Sequence, residues 1–225
     1  PRGKTDMVKV RIPGTSGKTS GGSAPTIGIL GRLGAIGARP EMIGYVSDGD
    51  GALAALTVAA KLLDMQVKGD FLPGDVFIST KGNRVINTRG FALSQPVKEG
   101  WILRLPESIL DIMQRTTGRL PYVFPVNMQD ITPYGNDVHH LNSIMQPCTC
   151  TSAPVVGVAI TTETMVPGCG TGCSHFTDVE EAARFMLETA KSFGRGECTF
   201  YDEEEYARLQ KLYGSMKHLQ TLGNK

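Results

Sequence analysis

The segment Gly51–Met65, GALAALTVAAKLLDM, constrains the fold more than any other part of the chain. It is rich in alanine and leucine and carries no breaker after Gly51, so it predicts a helix buried over most of its surface. Before it stands a short apolar run, Met42–Val46, read as a strand ending in the tight acidic turn Ser47-Asp48-Gly49-Asp50-Gly51, with Asp50 placed to cap the helix. After it come the turn Leu72-Pro73-Gly74 and the strand pattern Asp75–Thr80.

The same alternation continues along the chain. Met7–Ile12 alternates apolar with basic residues, the period of a half-buried strand. Gly14–Ser23 reads as a mobile loop. Ile27–Ile36 carries Gly28, Gly31 and Gly34 at three-residue spacing, which on a helix would line one side and admit a second backbone. Short strands are expected at 84–86, 91–93, 101–105 and 120–126, and a helix at Pro106–Thr117, where proline fits the first turn. Further on, 137–146 suggests a short helix and Pro154–Thr161 a buried strand. Thr177–Phe193 is a long amphipathic helix with capping-box spacing between Thr177 and Glu180, and Asp202–Tyr213 is a last helix closed by Gly214. Strands alternating with helices over 225 residues argue one α/β domain, a layered αβα arrangement on a mostly parallel mixed sheet. In such sheets ligands gather outside the carboxyl ends of the strands, which selects the loops 47–51, 132–140 and 161–176.

Composition narrows the function. Lysine and arginine total 23 against 22 acidic residues, a formal charge of +1, so no global field recruits nucleic acid or an anionic membrane. No apolar run reaches the roughly 18 residues of a membrane span. Five cysteines, without a visible export signal, favour reduced thiols in a cytoplasm. Two motifs fail on inspection. GTSGKTS at 14–20 lacks the glycine that a phosphate loop needs five positions before Gly17, where Ile12 stands. Cys148-Thr149-Cys150 and Cys169 with Cys173 lack the usual spacing of a cysteine zinc knuckle, and small buried thiols are the plainer reading of Cys148 and Cys150. A cysteine nucleophile would draw its base from His139, His140, His175 or His218.

What remains is a set of carboxylates and imidazole on the three selected loops: Asp48 and Asp50, Asp137, and His175. Oxygen and imidazole donors of this kind suit a divalent metal, zinc first and manganese or cobalt next. The plainer alternative makes Asp48 and Asp50 turn and cap residues, Asp137 a helix cap and His175 a loop residue.

Three stretches resemble the co-catalytic zinc aminopeptidases and the related carboxypeptidases and deacylases. They are Val46-Ser47-Asp48-Gly49-Asp50-Gly51 with the helix and strand after it, Gly135-Asn136-Asp137 ahead of Ala153–Ala159, and Ser174-His175-Phe176-Thr177-Asp178 opening the long helix. The resemblance implies a zinc-exopeptidase-like fold. It places Asp48 at the metal-bridging aspartate and Asp137 and His175 at further ligands, and Asp50 stands beside them as an alternative ligand or as a carboxylate supporting the ligands. No histidine precedes Asp48 and no Glu-Glu pair follows Thr80, where that superfamily has its first ligand and its general base. The whole chain also resembles, more closely, an uncharacterised prokaryotic family, through KTDMVKVRIPG, GRLGAIGARPEMIGYVSD, QDITPYGND and FGRGECTFYDEEE. That likeness implies a longer pattern, with a segment before Pro1 and a His-, Cys- and Pro-rich insertion after the strand ending at Thr80, which here meets Lys81 directly. Together these readings point to a metal-dependent hydrolase acting on an amide of a small or short peptide-like substrate. The rival reading is a non-catalytic small-molecule-binding or assembly protein on the same fold, and either is compatible with a homo-oligomer.

Overall fold

The computed structural model describes residues 8–33, 49–82, 90–124, 152–161 and 176–219. They cluster into two compact units that interleave in sequence.

The first unit is organised by strand β1 (Lys9–Ile12), strand β2 (Ile27–Leu33), helix α1 (Asp50–Val67) and strand β3 (Val76–Gly82). β3 is central, antiparallel to β1 and parallel to β2. Because parallel neighbours need a crossover, α1 is the connection of a β2-α1-β3 unit and lies against both strands. Helix α3 (Phe176–Gly194) packs beside α1. Alternation along β3 turns Val76, Ile78 and Thr80 inward and leaves Phe77 exposed. The core of this unit is Ile12, Val58, Leu62, Val76 and Ile78, all at most 2% exposed. A buried leucine or isoleucine contributes about 2 kcal/mol by leaving water.

The glycine ladder proves to be a strand. A period of three does not stay on one face of a strand, so Gly28 is exposed while Gly31 is buried. Close packing is nevertheless what Gly31 supplies. A Cβ there would lie 2.6 Å from Ala55 Cβ and 2.7 Å from both Ala52 Cα and the Gly51 carbonyl, so its absence lets the first turn of α1 rest on β2. Ala52, Ala54, Ala55 and Ala59 are buried, as the alanine-rich sequence requires. One flank of the helix departs from the expected burial, with Leu56, Leu63 and Val67 exposed.

The second unit centres on strand β4 (Gly90–Ser94), antiparallel to strand β8 (Val158–Thr161) and parallel to strand β7 (Tyr122–Phe124). Strands β5 (Val97–Lys98) and β6 (Trp101–Ile102) form a hairpin. Its two turn residues, Glu99 at φ 47° and Gly100 at φ 89°, both adopt the left-handed conformation that a two-residue turn needs to match strand twist. Helix α2 (Glu107–Thr117) supplies Ile109 and Met113 to a core with Leu93, Val97 and Leu103. Helix α4 (Glu203–Tyr213) is capped as its sequence suggests, Glu205 N donating to the Asp202 carboxylate at 3.0 Å.

The architecture is mixed α/β. Each three-stranded sheet has one parallel and one antiparallel pairing, which is less parallel than the strand-helix alternation implies. The segment 101–105 shortens to a two-residue strand because Pro96 and the Glu99-Gly100 turn fold it back onto β5. Asp50 also differs from its expected role. Gly49 occupies the capping position without a side-chain bond, and Asp50 is the first helical residue.

Candidate functional site

The carboxyl ends of β2 and β3 mark the edge of the first unit where a ligand would gather. Gly31 pairs with Thr80 near those ends and meets Gly51 and Ala52, so Asp50 lies at the same edge. Its side chain is buried, 7% exposed, and engaged. It stands in the first turn of α1, at the positive end of the helix dipole.

The start of α3 falls at this edge too. Its last residue, Gly194, sits against the turn before β3, since a Cβ at Gly194 would lie 3.2 Å from Gly74 N. That turn is at the amino end of β3. With its final turn there and its body alongside α1, α3 runs in the same sense as α1. A 19-residue helix is about 28 Å long, so Phe176 and Asp178 fall toward the edge where α1 begins. Two helix N-termini therefore converge on the carboxyl ends of a parallel strand pair.

Asp48, Asp137 and His175 lie outside the described residues, as do Met42–Val46, the segment 137–146 and Cys148, Cys150, Cys169 and Cys173. Among the described residues no three of His, Cys, Asp and Glu gather into a metal-binding group. The structure thus locates Asp50, and it locates the chain on the near side of the other acidic-turn residue and of His175, through Gly49 and Phe176.

At the opposite edge the glycine-rich loop is held in place, contrary to its reading as a mobile loop. Asp75, 1% exposed, accepts hydrogen bonds from Gly14 N, Thr19 N and Thr19 Oγ1, each at 2.8 Å. Thr15 N and Ser16 N donate to Leu72 O and Pro73 O at 2.9 Å, and Ser20 Oγ donates to Gly14 O. A Cβ at Gly17 would overlap the Asp75 carboxylate, so only glycine admits this approach. The amide donors from Gly14 and Thr19, backed by the charge of Arg11, hold the Asp75 carboxyl below its ordinary pKa. The loop's amides at Gly14 and Thr19 therefore serve an internal carboxylate, and those at Thr15 and Ser16 serve backbone carbonyls, so none of the four is left for a phosphate. Pro13 O accepts from Gln66 Nε2 near the end of α1, so the loop lies a helix length from Asp50 and cannot close over that edge. A shallow cavity of about 290 Å³ there is lined by Pro13, Gly14, Thr15, Ser20, Gln66 and Phe71, which offer no titratable group.

Cys198 is buried, and burial with the nearby Glu197 charge pushes its thiol up to about 11, which makes it a packing residue and a poor nucleophile. In the second unit, Glu99 is 4% exposed and accepts from Tyr206 Oη at 2.7 Å. Burial, then the hydrogen bond to Glu99, raises the Tyr206 phenol. Sequence reading missed both Asp75 and Glu99 as organising carboxylates. Their partners lie 61 and 107 positions away, beyond any local pattern.

Comparison with known proteins places the chain. A family model matches residues 1–81 and 78–223, nearly the whole sequence. The chain belongs to the family described as protein of unknown function (DUF1177). The match falls in two segments meeting at 78–81, where β3 ends. No curated protein matches the chain. A crystal structure described as a "putative peptidase" from Clostridium acetobutylicum is similar to it at 11% identity and a TM-score of 0.47, over 93% of this chain and 52% of that one. The chain spans about half the length of that neighbour. Among the described residues, no helix is long and apolar enough to cross a membrane.

Proposed function

We propose that this protein is a metal-dependent hydrolase of a small or short peptide-like amide, built on a layered, zinc-exopeptidase-like frame. The observation that carries the reading is the edge of the first unit where the buried Asp50 lies at the carboxyl ends of β2 and β3, on the side toward which α3, running in the same sense as α1, begins. The sequence attaches Asp48 to one of these positions and His175 to the other by a peptide or two. Asp48, Asp50, Asp137 and His175 would hold the ion, zinc before manganese or cobalt, and their donor chemistry fits it. When bound, such an ion polarises a carbonyl and lowers the pKa of water. The chain's own contribution is positional. Asp50 is buried in the first turn of α1, and the β2-α1-β3 unit sets the direction from which its carboxyl group is presented.

The test is elemental analysis of the protein purified without chelator, beside an Asp48→Asn/His175→Ala double variant checked for retained fold by circular dichroism. Near-stoichiometric zinc, manganese or cobalt that disappears in the variant is the expected result, and it justifies an amide-substrate screen. Absence of metal from the wild type after reloading would refute the reading in favour of a non-catalytic binding protein.

A further inference from the structure

Helix α4 is attached differently from every other long helix. Eight residues of α1 and eight of α3 are buried, whereas none of α4 is. Its attachments are polar or aromatic and come chiefly from the β5-β6 hairpin and the residues just after it. Tyr206 Oη donates to the buried Glu99 carboxylate. The Lys98 ammonium sits 5.0 Å from the Tyr201 ring centre and 5.1 Å from that of Tyr206. Arg104 N donates to Glu205 at 2.7 Å, and the exposed Arg104 guanidinium lies 3.5 Å from Asp202. Trp101 meets Tyr213 with ring centres 5.8 Å apart, and its buried indole Nε1 finds no acceptor among the described residues. We propose that α4 is a strap, clasped to the second unit by charge and hydrogen bonding, which leaves the β5-β6 hairpin as one piece while the unit's sheet stays folded.

Three features support this beyond the lack of buried surface. The helix carries its own ends, an Asp202 cap and a Gly214 stop at φ 84°, so it needs nothing from its seat to terminate. Among the described residues its receiving groups are concentrated in Lys98–Arg104, so one short stretch of chain carries these attachments. Among the described residues the Trp101 indole N–H beside Tyr213 has no acceptor, so the seat gains no hydrogen bond from it. Ion pairs and cation–π contacts at partly exposed sites weaken as salt shortens the screening length, whereas the apolar core does not. Release is therefore driven by ionic strength, and it uncovers Lys98, Glu99 and Trp101 together.

The chain supplies its own probe, because Trp101 is its one tryptophan. Hydrogen exchange is followed on the full chain at low salt and in 1 M sodium chloride, alongside Trp101 emission. Salt should accelerate exchange of α4 amides by about tenfold, with those of α1, α3 and the β4-β7-β8 sheet unchanged, and shift Trp101 emission over the same range. A Lys98→Ala/Tyr206→Phe variant should show the same acceleration without salt. If that variant folds poorly, Arg104→Gln changes only an exposed side chain and should move α4 exchange severalfold in the same direction. Exchange of α4 in step with the β4-β7-β8 sheet under every condition would overturn the proposal, as would indifference of α4 exchange to both salt and substitution.

Discussion

Removing the carboxylate at Asp75 tests whether the glycine-rich loop is an internally organised element. Asp75→Ala deletes the acceptor for Gly14 N, Thr19 N and Thr19 Oγ1 together. The Gly14 bond is buried, so its donor is stranded, whereas the two Thr19 donors are only part-buried and can turn to water. A charge-assisted bond to a buried donor is worth about 2–3 kcal/mol and each part-buried one about 0.5–1, so the loss should be about 3–5 kcal/mol. Asp75→Asn keeps one oxygen for Gly14 N but turns an amide against the Thr19 donors, and should cost about 2 kcal/mol. Thr19→Val removes one part-buried bond and should cost under about 1 kcal/mol. Urea unfolding gives the three values, and hydrogen exchange over 14–22 shows whether the loop itself loosens. The sign with pH is fixed as well. The folded pKa of Asp75 is depressed, so its stabilisation is fully present above the unfolded value of about 3.9 and is lost as pH falls through the folded one. The aspartate contribution to acid sensitivity should vanish in Asp75→Asn. A cost below about 0.5 kcal/mol for Asp75→Ala, with protection of 14–22 unchanged, would refute the reasoning.

Gly31→Ala should destabilise by about 2–3 kcal/mol in urea unfolding, because the new methyl meets the backbone of Gly51 and Ala52 and one of the elements must shift; it should also lower metal content if the α1 terminus helps to hold the ion. Leu62→Ala, at a site 1% exposed in the α1 interface, should cost about 3–4 kcal/mol by the same assay. Native-state alkylation of Cys198 at pH 8, followed by peptide mass spectrometry, should run about two orders of magnitude slower than in the unfolded chain, since its thiol is raised to about 11.

Much of the frame was legible in local pattern. The alanine-rich helix, the Asp202-capped start of the last helix and the alternating strands at 9–12 and 76–80 follow from propensity and period, which act over a few residues, whereas α3 begins at Phe176 and so places Thr177 inside the helix and not at its cap. The Gly14–Ser23 loop was misread because its order comes from Asp75, and the glycine ladder because three-residue spacing suits a helix while its neighbour β3 makes it a strand. Of the candidate ligands, the structure fixes Asp50 at the strand ends and describes Gly49 and Phe176 beside two others, while Asp137 lies outside the described residues.

By itself the sequence determined the helices α1 to α4 to within a residue or two of their ends, and which residue types could serve a metal, because those properties reside in short windows of chain. Only the tertiary structure decided that α1 and α3 begin at one edge, that the glycine loop sits at the other and serves Asp75, and that α4 is held by Lys98, Glu99 and Arg104. Those arrangements join residues dozens to a hundred positions apart, and chain periodicity carries no record of which distant donor will meet a buried carboxylate.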